Sequence, residues 1–351
     1  MNDPGPHPVS PPRPGAPGSW ARHPLHGPHD PAGPPPLRRT ASIRRSTTHD
    51  SLRPDGPLGP VMMAARGRDL ITGSDGRTKV LATAGVDAVV DFADGRRLAR
   101  LSVDPPAEGA SQLVGTSVSS GFRQAVEEAI PGVASDDPLR WQLIDDLPTA
   151  TLVGGYAIGA AGVRPPRSAL SPSLQHPDLC AGWAVGGTIL NEMGVTGYPP
   201  VVTGPLAPDL RRDDDPLAWH DAVEPLPPHG MRRRRRLDLW RDGERIVLEC
   251  FLRDSHFGTD GHETVVHEYT VRGALDPATM RFTEAAAEVG ALPWVECPEA
   301  VASAGRLVGA PAAGLRAWVR NTFVGPTTCT HLNDTLRSLE AVDGLASHLP
   351  A

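Results

Sequence analysis

The sequence predicts an α+β fold: two degenerate copies of a small antiparallel sheet followed by packed helices, behind a disordered proline-rich N-terminal tail. Three observations carry this. Apolar residues alternate at period two in two separate groups of segments. In the first group are Val61–Ala65, Val86–Phe92 and Arg97–Val103; in the second, Leu237–Trp240, Ile246–Leu252 and Glu263–Val271. Stripes at helical spacing follow each group: Phe122, Val126 and Ile130 after the first, and Leu315, Val319 and Phe323, then Leu332, Leu336 and Leu339, after the second. Landmarks also recur in order. Leu113-Val114-Gly115 answers Leu307-Val308-Gly309, while Arg123, Val126 and Gly132 answer Arg316, Val319 and Gly325. Arg68-Asp69 after a strand answers Arg253-Asp254 after a strand. This pattern reads as an internal duplication with a pseudo-twofold arrangement, like a fused homodimer.

Residues 1–49 are dominated by Pro, Gly, Arg and His and offer almost nothing apolar to bury, so they are expected to form the disordered tail. Arg38-Arg39-Thr40 and Arg44-Arg45-Ser46 close it with a small basic cluster, read as solvated. The whole chain of 351 residues carries a net charge of −7, which argues against nucleic acid as a partner. No apolar run has the length of a membrane span, and the N-terminus lacks the hydrophobic core of a signal peptide. Four cysteines in a chain this long do not make a disulfide framework, so the expected location is cytoplasmic.

Residues 50–150 form the first copy. Positions 51–150 hold no histidine and no cysteine, so this copy is expected to pack and support. Phe122, Val126 and Ile130 should sit in its core. Asp69 and Asp254 occur in both copies and so point to a shared structural job, such as a turn or an arginine pair, rather than to catalysis. Residues 151–230 form an inter-copy segment rich in Pro and Gly. Gly154, Gly155 and Gly159 lack phosphate-loop spacing, and Cys180, Trp183 and Trp219 suggest that part of the segment packs over the second copy.

The second copy, 231–345, opens with Met231 and five arginines, Arg232–Arg236. The run reads either as an edge strand defended by charge or as a site for an anionic ligand. Along the following strand Cys250 lies on the apolar face and reads as core. His267 shares a face with Val265, Tyr269 and Val271, and Glu268 points the other way. Cys297 precedes Pro298 at one predicted helix start, and Cys329 precedes another. Positive helix ends favour the thiolate, the form that binds metals and attacks electrophiles. In a regular helix Cys329 and His331 would diverge by about 200°. They converge only if Cys329 sits in the turn Gly325-Pro326-Thr327-Thr328 before the helix.

These residues make the candidate site. Cys297, Cys329, His331 and His267 offer a ligand set for zinc or another transition metal. Without metal, Cys329 and His331 offer a nucleophile and base for covalent catalysis. Both thiols can equally be core residues at helix starts.

The second copy, with its His267-Glu268-Tyr269 strand, Glu296-Cys297-Pro298, Leu307-Val308-Gly309 and Cys329-Thr330-His331-Leu332 in that order, resembles a bacterial family called domain of unknown function 2889. The full pattern, from about residue 38 to 345, is similar to its longer actinobacterial form. Shorter relatives read Gly-Cys-Thr-His-Leu, and here Thr328 stands in place of that glycine. The resemblance implies which residues matter and brings no reaction with it. The sequence therefore leaves two expectations. One is an enzyme acting on a small organic molecule through the Cys/His site. The other is a non-catalytic module whose cysteines hold a structural metal or simply pack, with its arginines meeting an anionic partner.

Overall fold

The computed structural model describes residues 27–164, 177–220 and 224–350. Its strands are β1 (Ser42–Leu52), β2 (Val61–Thr72), β3 (Thr78–Asp91), β4 (Arg97–Asp104), β5 (Met231–Asp242), β6 (Arg245–Phe257), β7 (Glu263–Asp276) and β8 (Arg281–Ala291). They form one antiparallel sheet in the order β4-β3-β2-β1-β5-β6-β7-β8. Each half of the chain supplies a four-stranded meander. The two first strands join the halves by pairing with each other, from Ser42 opposite Trp240 to Ser51 opposite Met231.

A 3-10 turn, Ala110–Leu113, then α1 (Phe122–Ala129), α2 (Val133–Asp136), α3 (Pro138–Val153) and α4 (Tyr156–Ala160) follow the first meander. Between the halves lies α5 (Thr188–Thr196). The second meander leads into a 3-10 run, Cys297–Leu307, then α6 (Leu315–Thr322), α7 (Thr330–Ser338) and α8 (Ala341–Ala346). The helical stripes read from the sequence all face inward: Phe122, Val126, Leu315, Val319, Phe323, Leu332, Leu336 and Leu339 are buried. The repeated Leu-Val-Gly landmarks make the same contact in both halves. The Gly115 N–H donates to the Leu98 carbonyl at 2.7 Å and the Gly309 N–H to Phe282 at 2.8 Å. Both glycines sit at positive φ, 90° and 86°, which a side chain would strain. Among the described residues, no helix is long and apolar enough to cross a membrane.

The tail boundary needs correction. Residues 27–49, assigned to the tail by composition, are part of the fold, and Ser42–Leu52 is a central strand. The remainder of the expected tail, 1–26, lies outside the described residues. Composition misleads because β1 buries charges in pairs rather than burying apolar groups. Arg44 donates to Asp238 at 2.5 Å, Arg45 to Asp69 at 2.7 Å, and Asp50 accepts from Arg232 at 2.6 Å. Residues 29–38 then run across the sheet face opposite the helices. There Arg253 and Glu268, both almost fully buried, form an ion pair at 2.5 Å, and Ala32 caps both partners through its backbone. A chain starting at residue 37 is expected to be about 1–3 kcal/mol less stable than one starting at 27, since truncation strips hydrogen bonds from a buried ion pair. Urea unfolding of the two would measure the difference.

The arginine run is also not at an edge. It forms the start of β5, which pairs with β1 on one side and β6 on the other. The protein's own carboxylates neutralise it: Asp50 meets Arg232, Asp254 and Asp334 meet Arg233, Asp146 and Asp334 meet Arg235, and Asp238 and Glu249 meet Arg236. Arg234 lies over Trp219, 6.0 Å from the ring centroid. Alternation sends Arg233 and Arg235 to the helical face and Arg232, Arg234 and Arg236 to the other. The helical-face pairs form a polar seam between two apolar cores, one under each meander.

Candidate functional site

The shared aspartates do pair with arginine, through the residue opposite on the joining strand. Arg45 holds Asp69 and Arg233 holds Asp254, each through two hydrogen bonds of 2.7–2.9 Å. Register breaks directly after each aspartate, between Asp69 and Leu70 and between Asp254 and Ser255. The bulge is therefore part of the common architecture. What differs is the partner across it. Asp69 faces Ala82, whereas Asp254 faces His267. Two residues on, Ala84 is answered by Tyr269. Asp146 and Asp334 both receive Arg235; counting three residues back from them, Leu143 is answered by His331.

His267 Nδ1 lies 3.3 Å from Asp254 Oδ2. Its ring stacks on His331, with centroids 3.6 Å apart and planes inclined by 20°. His331 projects from the first turn of α7, and Cys329 is the residue that caps this helix, in extended backbone. This is the turn geometry that the spacing required, and it brings Cys329 Sγ to 3.9 Å from His331 Nδ1. Cys297 opens the 3-10 run and lines the same cavity as Cys329. The inter-copy segment supplies a third thiol, Cys180, and closes the wall: the Ala181 N–H donates to the Thr328 carbonyl at 2.8 Å. Gly182 packs so close that a Cβ there would come within 3.0 Å of Cys297 Sγ. Cys250 lies in the core beside Ser338, as its strand face implied.

The cavity holds about 200 Å³, with walls that include Tyr156, Trp183, Ile189, Val202 and Trp294. The Tyr156 hydroxyl donates to the Val202 carbonyl at 2.6 Å, tying α4 to the chain beyond α5. At its polar end stand Cys329, His267 and His331, and no Asp, Glu, Lys or Arg lines it among the described residues. Apolar space of about 150 Å³ admits benzene, so this volume suits a molecule the size of a substituted ring.

Burial overturns the thiolate expectation. It pushes the Cys329 thiol above its ordinary range and Cys297 well above, outweighing the helix starts, so both rest as thiols. Burial pushes Cys180 up to about 11 in the same way. His331 is held well below the usual histidine range by burial first and by His267 beside it, and so rests neutral. For Asp254, burial works upward, but Arg233 and His267 together hold the carboxyl well below its usual range.

Of the expected ligands, His267 and His331 come together, and the group close enough to share an ion is Asp254, His267 and His331, with ligand atoms within 4.8 Å of one another. Neither Cys297 nor Cys329 belongs to that group. Two features of the arrangement oppose ligation as it stands. Asp254 already gives both oxygens to Arg233. An ion bonds in the plane of an imidazole at about 2.0–2.1 Å. One lying in the plane of either stacked ring is too far from the other, so the rings must rotate apart to share it. The occurrence of an aspartate in both halves argues against Asp254, and the sequence gives Cys180 only a packing role. The register that places Asp254 opposite His267 is the missing signal.

Searches of curated proteins and of solved structures gave no match. Residues 231–343 match the family model described as "Protein of unknown function (DUF2889)". The second meander and its helices, with Asp254, His267, Cys297, Cys329 and His331, are thus a domain of this family.

Proposed function

We propose that the chain is an enzyme acting on a small, uncharged and largely apolar organic molecule, with Cys329 as nucleophile and His331 as the base that activates it. The observation behind this reading is the position of the pair: thiol and neutral imidazole, 3.9 Å apart, at the polar end of an apolar cavity. A neutral pair avoids leaving a charge in an apolar site at rest, and the thiolate forms only when the substrate is attacked. The first half is a supporting copy from an ancient duplication, retaining the Arg–Asp pair and lacking the reactive residues. Four free, buried cysteines support a reducing, cytoplasmic location. Four of the five arginines that open β5, Arg232, Arg233, Arg235 and Arg236, are engaged with internal carboxylates, which weighs against nucleic acid as a partner on this reading.

Alkylation by iodoacetamide, followed peptide by peptide, tests the reading without a known substrate. Cys329 should react at least about tenfold faster than Cys250, which burial holds at about 11, and His331→Gln should remove that advantage. Equal rates at the two cysteines would return Cys329 to the core and make the chain a non-catalytic module.

A second reading, a zinc or other transition-metal centre, is favoured by the proximity of Asp254, His267 and His331. Elemental analysis of untagged protein decides it. A stoichiometric metal lost in His331→Gln and kept in Cys250→Ser supports the metal centre.

A further inference from the structure

Arg234 is the exception among the arginines that open β5. Arg232, Arg233, Arg235 and Arg236 each meet at least one carboxylate. Arg234 is buried too, at 9 % exposed, yet among the described residues it has neither an ion pair nor a hydrogen bond. Its Nε is buried without a partner, and the two Nη groups are left open to solvent. What it does meet is the face of Trp219, whose own N–H donates to Thr48, the residue opposite Arg234 on β1. The surroundings add charge of the wrong sign. Arg253 lies opposite on β6, and Arg232 shares the face two positions back. Their carboxylates are fully used: Asp50 gives both oxygens to Arg232, and Glu268 divides its pair between Arg253 and the Ala32 N–H. Two further acids are within reach of its charge, but Glu263 accepts from the Ser255 hydroxyl and Asp209 holds Arg211. Burial first, and then Arg232 and Arg253 against the pull of Glu263, bring the Arg234 pKa down to about 10. The first half has no such surplus. Arg45 answers Arg233, so Ser46 answers Arg234, and its neutral hydroxyl meets His220 Nδ1 at 3.0 Å.

We infer that Arg234 is the floor of an anion site on the face of β5 turned away from the helices, and that this site takes the carboxylate of a small organic acid as the missing counter-ion. A buried cation without a partner is unfavourable, and an anion that reaches it relieves that penalty. A carboxylate is the group that fits. Every arginine of the two joining strands that is held at two points is held by one: Arg44 by Asp238, Arg45 by Asp69, Arg232 by Asp50 and Arg233 by Asp254. Its two oxygens match the planar fork of a guanidinium, and its single charge matches a surplus of one. Because only the Nη end is open, the acid binds by its carboxylate and leaves the rest of the molecule in solvent. Thr48 and Trp219 fix the guanidinium from the side and below, so little ordering is required of the protein. The site holds whether or not Cys329 is a nucleophile, since it shares no residue with the cavity.

Thermal unfolding of the full chain at pH 7, in sodium acetate against sodium chloride of equal ionic strength, tests the site with acetate itself as the probe. The midpoint of the parent protein should rise with acetate and level off, by about 2–4 °C once the ion saturates its site. Sodium phosphate at the same ionic strength should raise it less. Arg234→Met replaces the guanidinium with an apolar chain and strands no carboxylate. In chloride it should melt at or above the parent temperature, and acetate should no longer raise it. Arg232→Met, which strands Asp50, should melt below the parent. Arg234→Lys keeps the charge and the aliphatic stem but loses the fork, so it carries the test if the methionine variant does not fold. Its acetate response should be less than half that of the parent. A parent midpoint no higher in acetate than in chloride would overturn the site, as would an equal rise in Arg234→Met or Arg234→Lys. A rise with phosphate and none with acetate would overturn the carboxylate assignment. A folded Arg234→Met that melts well below the parent in chloride would show that Arg234 already has its counter-ion within the chain, and would overturn the inference.

Discussion

Asp334→Ala is expected to destabilise the protein by about 3–5 kcal/mol, the range for removing one partner of a buried ion pair. Asp334 is 2 % exposed and accepts from Arg233 at 2.6 Å, from Arg337 at 2.9 Å and from Arg235. Its loss leaves Arg233 with Asp254 and Arg235 with Asp146, two buried guanidinium groups short of one carboxylate. The same residue gives the effect a pH dependence. Burial works to raise its pKa, but Arg235, Arg233 and Arg337 together hold it well below the ordinary range. A depressed folded-state pKa contributes stability that is present above the unfolded value, about 3.9, and lost as pH falls through the folded one. The gap between the parent protein and Asp334→Asn should therefore be full at pH 7 and shrink at acid pH below about 4. Urea unfolding across that range measures both. An alanine variant as stable as the parent at pH 7 would show that the seam between the cores is not held by its ion pairs.

Phe122→Ala should cost about 3–5 kcal/mol, the range for truncating a buried aromatic residue. Phe122 is 1 % exposed and packs in the first-half core with Val126, Leu98 and Leu113. It opens α1, so the cavity left behind lies between the helix and the sheet, where the backbone of neither can readily close it. His267, His331 and Cys329 lie in the second half, away from this core. In the folded variant, alkylation of Cys329 should keep the parent rate while the unfolding midpoint falls. A midpoint equal to that of the parent would contradict the role of the first half as a packed support.

Much of the second half can be read along the chain because its information is local. Leu315, Val319 and Phe323 reveal a buried helix face by spacing alone, as do Leu332, Leu336 and Leu339. The turn before α7 follows from Gly325-Pro326, and it is enough to bring Cys329 to His331. The repeated glycines and the Arg-Asp landmark reveal the common order of elements, since each answers a backbone or pairing need that recurs. β1 could not be read this way. Residues 42–49 look like solvated tail until Arg44 finds Asp238, 194 positions away, and the arginines of β5 look like a charged edge until Asp146 and Asp334 meet them from two different helices. The candidate site divides along the same line. Residue types and short spacings were enough to pick out Cys329, His331, His267 and Cys297. Only the folded sheet decided that Asp254 faces His267, that the two histidines stack, and that both thiols stay protonated. Register and desolvation depend on residues far away in sequence, and no local pattern encodes them.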